Sequence, residues 1–166
     1  MLDNGYILTN QHVIDGFDKV DVSFESGKSY EDVKVFAIDV DLDLALVGPV
    51  KEKGDIKFGE TIGLGKGDEI YLVGYPEETD DKPNTTITKG ILSRVRKSED
   101  KKTVFLQTDA AITGGQSGGA MIDTHGELIG LSGLGDDTFG FSVSIENIKE
   151  SIKSMMKEKT KPYMVF

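Results

Sequence analysis

The chain contains no cysteine and no tryptophan, holds only two histidines, and carries a formal net charge of −10 over 166 residues. Without cysteine, disulfides, thiol nucleophiles and zinc–thiolate sites are all excluded. The shortage of Lys and Arg argues against nucleic acid as a partner, because phosphate binding needs an excess of both. It argues equally against adhesion to an anionic membrane surface. No apolar run is long enough to span a bilayer, so no membrane insertion is expected, and the first residues do not have a signal-peptide pattern. With 8% aromatic and 37% hydrophobic residues, the core is expected to consist of Val, Ile, Leu and Ala. The acidic cluster Glu77, Glu78, Asp80 and Asp81 reads as a solvated loop.

What is present is glycine. Twenty glycines punctuate the chain and favour many short strands over long helices. Tyr6–Leu8 reads as a short strand after the Asn4-Gly5 turn signal. Val20 to Phe24 alternates apolar and polar residues, Glu25 to Lys28 closes a hairpin, and Val33, Val35 and Ala37 continue the pattern. Leu44 to Val47 is an apolar strand, and Pro49 to Gly67 reads as a connection between two lobes. Further strands are predicted at 69–74, 86–95, 103–107, 120–122, 127–132 and 139–144, which suggests an all-β barrel or sandwich. Ile145, Ile148, Ile152 and Met155 then recur at helical spacing, with Ser144 as N-cap.

Chemistry concentrates in Thr113-Gly114-Gly115-Gln116-Ser117-Gly118-Gly119. Glycines around a serine let the backbone lift the hydroxyl and turn peptide N–H groups towards a developing oxyanion. Gly115 and Ser117 are the candidate donors. A serine hydroxyl needs a base, and the base an orienting acid. Of the two histidines, His12 follows an apolar strand, whereas His125 lies at a polar hairpin tip. The acid is sought in Asp39-Val40-Asp41-Leu42-Asp43-Leu44. If this run is extended, its three aspartates share one face. It fails the template of a calcium loop, having Leu44 where glycine is needed and Val50 where glutamate is needed. Asp43 abuts the most apolar strand and is the choice, since a buried carboxylate is tolerable with a histidine Nδ1–H as its partner. Asp39 and Asp41 read as surface residues. No phosphate-cradling motif occurs.

Together these stretches resemble a trypsin-like serine protease of the HtrA (Deg) type. The resemblance rests on Gly5-Tyr6-Ile7-Leu8-Thr9-Asn10-Gln11-His12-Val13, Asp43-Leu44-Ala45-Leu46-Val47, Gln107-Thr108-Asp109-Ala110-Ala111-Ile112 running into the serine loop, and Gly126-Glu127-Leu128-Ile129-Gly130-Leu131. The chain order His, Asp, Ser fits that family and speaks against an esterase of the α/β-hydrolase type. The resemblance implies an all-β fold of two antiparallel six-stranded barrels with the triad between them, followed by a C-terminal helix. It implies His12 as general base, Asp43 as its orienting partner, Ser117 as nucleophile, and Gly115 and Ser117 as the oxyanion hole. Leu131, Ser132 and Gly133 would pair with a polypeptide substrate by strand addition. A small or medium aliphatic specificity, no cofactor and no metal are expected, with a homo-oligomer, a trimer, as the family's assembly. The expected organisation is an N-terminal barrel over 1–50, a connection over 51–67, a C-terminal barrel over 68–144, a helix over 145–158 and the start of a linker over 159–166. The family's opening strands are missing ahead of Tyr6, and Lys161 to Val165 resembles the linker to a PDZ domain. The chain is therefore expected to be a fragment of a longer, extracytoplasmic protein. Family members carry Asn-Pro-Gly-Asn before the serine, where Thr113 to Gln116 stand here. That departure supports an alternative: a latent module that binds peptides without cleaving them.

Overall fold

In the computed structural model the described residues are 1–75, 84–100, 102–112, 114–135 and 139–157. The acidic cluster 77–81, Thr113, Glu158 and the linker 159–166 lie outside them. Strands β1 (Ile7–Thr9), β2 (Lys19–Ser23), β3 (Ser29–Asp39) and β4 (Leu44–Val47) form an open antiparallel sheet in the order β1-β4-β3-β2. Six more strands close into a barrel. These are β5 (Glu69–Gly74), β6 (Thr86–Lys97), β7 (Val104–Thr108), β8 (Ala120–Ile122), β9 (Leu128–Gly135) and β10 (Gly140–Ser144), ordered β10-β7-β6-β5-β8-β9. Helix α1 (Ile145–Lys157) follows directly. The all-β fold and its terminal helix are as the sequence predicts, with the N-terminal half an open four-stranded sheet where the resemblance implies a barrel lacking its opening strands.

Period-two alternation explains how the halves join. On β4, Leu44 and Leu46 point to one side and Ala45 and Val47 to the other, and all four are buried. Ala45 and Val47 pack with Ile14 and Val33 inside the sheet. Leu44 and Leu46 pack with Leu8, Leu131, Val143, Ile145 and Ile148, forming a core shared by the sheet, the barrel and α1. The barrel interior is a separate cluster built around Ile70, Leu72, Leu92, Leu106, Met121 and Ile129. A strand apolar on both faces is thus the seam between halves. Leu44 and Leu46 face the other half, and burying these two stabilises the seam by several kcal/mol, at about 1.5–3 kcal/mol each.

The helix begins where the sequence places it. The Ser144 hydroxyl accepts the Asn147 N–H (3.4 Å) and donates to the Asn147 carboxamide (3.0 Å), satisfying one of the orphan donors of the first turn. Glu146 accepts the Thr61 N–H and hydroxyl, both at 2.7 Å, and so fastens the interlobe connection to α1. Burial alone would raise the Glu146 carboxyl, but these bonds, with those from its own N–H and Ser144, outweigh it and hold the group below the usual carboxylate range.

Candidate active site

After β1 the chain does not continue extended. Buried Asn10 is followed by a single 3-10 turn, Gln11–Val13, closed by the Ile14 N–H on the Gln11 carbonyl (3.0 Å) and anchored by buried Ile14. His12 stands on this turn, one step beyond the strand end, with its side chain 43% exposed.

The aspartate run also departs from the extended reading. Residues 40–43 form a turn between β3 and β4, with Val40 exposed at its tip. Asp43 has φ +53°, a left-handed conformation that aspartate adopts more readily than most residues. Its three-residue alternation with Asp39 and Asp41 is thereby broken, and its carboxylate turns to His12. Oδ2 lies 2.7 Å from the His12 ring Nδ1, and Oδ1 accepts the His12 backbone N–H at 2.9 Å. A carboxylate only accepts, so it fixes the ring proton on Nδ1 and leaves the Nε2 lone pair free to take a proton. Asp39, read from sequence as a surface residue, is half-buried. It accepts the Leu42 N–H (3.1 Å) and the hydroxyl of Ser151 on α1 (2.5 Å).

Ser117 sits in a tight turn closed by the Gly119 N–H on the Gln116 carbonyl (3.0 Å), with Gly118 at φ +81°. A Cβ on Gly118 would come within 2.4 Å of the Thr9 hydroxyl on β1, so only glycine fits where the serine turn passes the N-terminal sheet. The Ser117 hydroxyl donates to the Gly133 carbonyl at 3.3 Å, and among the described residues no hydrogen bond joins it to His12. Gly115 is exposed at φ +85°.

On β9, Leu131 is buried in the shared core. The Ser132 N–H donates to the Gly119 carbonyl (2.8 Å) and its carbonyl accepts the Gly118 N–H (2.9 Å), so this residue carries the serine turn on its backbone. The last rung to β8 is Leu131↔Ala120, beyond which β9 runs on to Gly135 against β10. The backbone around Gly133 therefore lies on an edge that β8 does not cover. The Ser132 and Ser142 hydroxyls, opposite one another across β9 and β10, are buried with no hydrogen-bond partner among the described residues. His125 stays apart at its hairpin tip, 3.5 Å from Asp123. Burial works to raise the Asp123 carboxyl, but N–H bonds from Glu127 and His125 hold it below its ordinary value. Among the described residues no three His, Cys, Asp or Glu side chains converge as metal ligands. Nor is any helix long and apolar enough to cross a membrane.

The two halves thus bring His12, Asp43 and the Ser117 turn to one seam, in the chain order His, Asp, Ser. Residues 2–131 match the model of the trypsin-like peptidase domain. The chain belongs to this family. It is 32% identical over 167 residues to the periplasmic serine endoprotease DegP of Escherichia coli (strain K12), a match covering 94% of the chain and 34% of that relative. It is 30% identical over 169 residues to the serine protease Do-like HtrB of Bacillus subtilis (strain 168), covering 93% and 36%. A solved structure of the HtrA-type protease AlgW with a decapeptide superposes with a TM-score of 0.83 at 30% identity, over 96% of the chain and 50% of that structure. The chain spans roughly a third of the length of these curated relatives and half of that structure. Sequence reasoning missed the buried carboxamide of Asn10 and the tie from Asp39 to α1. Both rest on bonds to residues far along the chain, which leave no local pattern.

Proposed function

We propose that this chain is the catalytic domain of a serine endopeptidase that cleaves extended or unfolded polypeptides through an acyl-enzyme. The observation that carries this reading is the His12 Nδ1–Asp43 Oδ2 contact of 2.7 Å, made across the seam from a serine set in a glycine turn. In the reaction, rotation about χ1 takes the Ser117 hydroxyl from the Gly133 carbonyl to His12. Nε2 accepts its proton as Oγ attacks the substrate carbonyl carbon, and Asp43 stabilises the resulting imidazolium. The oxyanion is taken up by the N–H groups of Gly115 and Ser117; losing one such donor costs about two to three orders of magnitude in rate. Collapse breaks the C–N bond as His12 returns the proton to the leaving amine. Water, deprotonated by His12, then attacks the acyl carbon; the ester C–O bond breaks as His12 returns the proton to Ser117 Oγ, and the acyl group leaves as a carboxylic acid that ionises in solvent. The uncovered edge near Gly133 supports peptide binding by strand addition, with Leu131 and Ser132 leading β9 up to that edge, their own backbones already bonded within the protein.

One observation favours a second reading, the latent peptide-binding module: the Ser117 hydroxyl is engaged by Gly133. Incubation with fluorescein-labelled casein beside a Ser117→Ala control separates the two. Cleavage by the wild type and loss of it in the variant support the protease, whereas casein binding without cleavage by either supports the latent module. Relatives named as periplasmic extend the proposal to a whole protein working outside the cytoplasm. A homo-oligomeric state, a trimer, rests on the family resemblance and is read by light scattering of the purified chain.

A further inference from the structure

Asn10 is 1% exposed, and both ends of its carboxamide are bonded. Nδ2 donates to the Asp43 carbonyl at 2.9 Å, and Oδ1 accepts the Gly118 N–H at 2.6 Å. The two partners lie 33 and 108 residues away in sequence. Only this orientation of the amide works, because flipping it would set oxygen against a carbonyl and amino group against an N–H. The same carboxamide packs on Gly133, where a Cβ would stand 3.3 Å from Nδ2. One buried side chain therefore meets the residue that orients His12, the residue that follows Ser117, and the residue whose carbonyl holds the Ser117 hydroxyl.

Any buried amide must be bonded, so satisfaction alone would mark Asn10 as structural. Its choice of partners says more. Asp43 is held in a left-handed conformation, and its carbonyl accepts both Asn10 Nδ2 and the Gln11 N–H (3.1 Å). These two bonds pin the backbone from which the carboxylate reaches His12. The bond to Gly118 pins the other half of the site. A seam between two packed halves leaves their sub-ångström alignment to the polar contacts that cross it, and a misplacement of about 1 Å can cost roughly a hundredfold in rate.

We propose that Asn10 is a positioning residue that registers the His12–Asp43 pair against the Ser117 turn; its kinetic consequence rests on the protease reading above. Asn10→Ala removes both bonds. Asn10→Asp keeps an acceptor for the Gly118 N–H and loses the donor to Asp43, which makes it the second variant should Asn10→Ala fail to fold. In fluorescein-casein assays run well below the melting temperature of each protein, Asn10→Ala is expected to lower kcat about a hundredfold with KM unchanged. Asn10→Asp is expected to fall between it and the wild type. The second readout is independent of activity: the downfield NMR signal of the His12 ring Nδ1–H, with His125 as the internal reference. In both variants this proton is expected to exchange faster and to broaden, while the His125 signals stay in place. Unchanged kcat and an unchanged His12 signal, with only a lower melting temperature, would reduce Asn10 to a structural amide and overturn the proposal. A wild type that leaves casein intact sinks the protease reading instead, and the His12 signal still decides whether Asn10 sets the pair.

Discussion

Asp43 concentrates the site's geometry in one residue, through a backbone angle that brings its carboxylate to His12. Asp43→Asn keeps the shape and one acceptor but offers an amide where Nδ1–H needs a carboxylate. It is expected to lower kcat by about four orders of magnitude with the fold intact, checked by casein kinetics beside circular dichroism. Gly118 is constrained from two directions, its φ of +81° and the Thr9 hydroxyl against it. Gly118→Ala is expected to destabilise by about 2 kcal/mol or more, read as a lower urea midpoint. Ser142 behaves oppositely. Its hydroxyl is buried with no partner among the described residues, so Ser142→Ala is expected to leave stability unchanged or raise it by up to about 1 kcal/mol. Histidine choice was legible in the sequence because there are only two to choose from. Asp43's conformation was not. A left-handed glycine announces itself, whereas an aspartate in the same region looks like any other, and the extended reading of residues 39–44 fails for that reason.

At the scale of elements, strands and helix could be read because their signals are periodic. The alternation on β2 and β3, the apolar run of β4 and the helical stripe from Ile145 to Met155 each report a buried face. What escaped detection is made of single bonds. The 3-10 turn under His12 has no periodicity, and the links from Asp39 to Ser151 and from Glu146 to Thr61 join residues 112 and 85 apart. The Glu146 link predicts a pH dependence. Its carboxyl is held below its ordinary value in the fold, so the stabilisation is complete above the ordinary carboxylate range and is lost as pH falls through the lowered value. Glu146→Gln is expected to cost about 1 kcal/mol at neutral pH, at the low end for a charged bond because the group is partly exposed. The difference should shrink as pH falls below the ordinary carboxylate range, as urea titrations of both proteins at neutral and at acidic pH will show.

For the whole molecule, the central feature is a seam. An open four-stranded sheet carries His12 and Asp43, a closed barrel carries Ser117, and one shared core with α1 holds them together. The deepest test of that core is Ile148, fully buried on α1 between sheet and barrel. Ile148→Ala is expected to destabilise both halves together by about 3 kcal/mol, in a single unfolding transition. Separate transitions would show that the halves do not depend on their common core. The family and fold were legible because the three chemical segments are local in sequence. The state of the seam was not, since the alignment of Ser117 with His12 depends on contacts that no segment contains by itself. The most direct test of the central claim is intact-mass measurement after treatment with diisopropyl fluorophosphate, followed by peptide mapping. The account predicts one adduct per chain, on Ser117, absent from Ser117→Ala and strongly slowed in His12→Ala. A wild type that takes up no adduct, or a Ser117→Ala variant labelled as fast as the wild type, would contradict it.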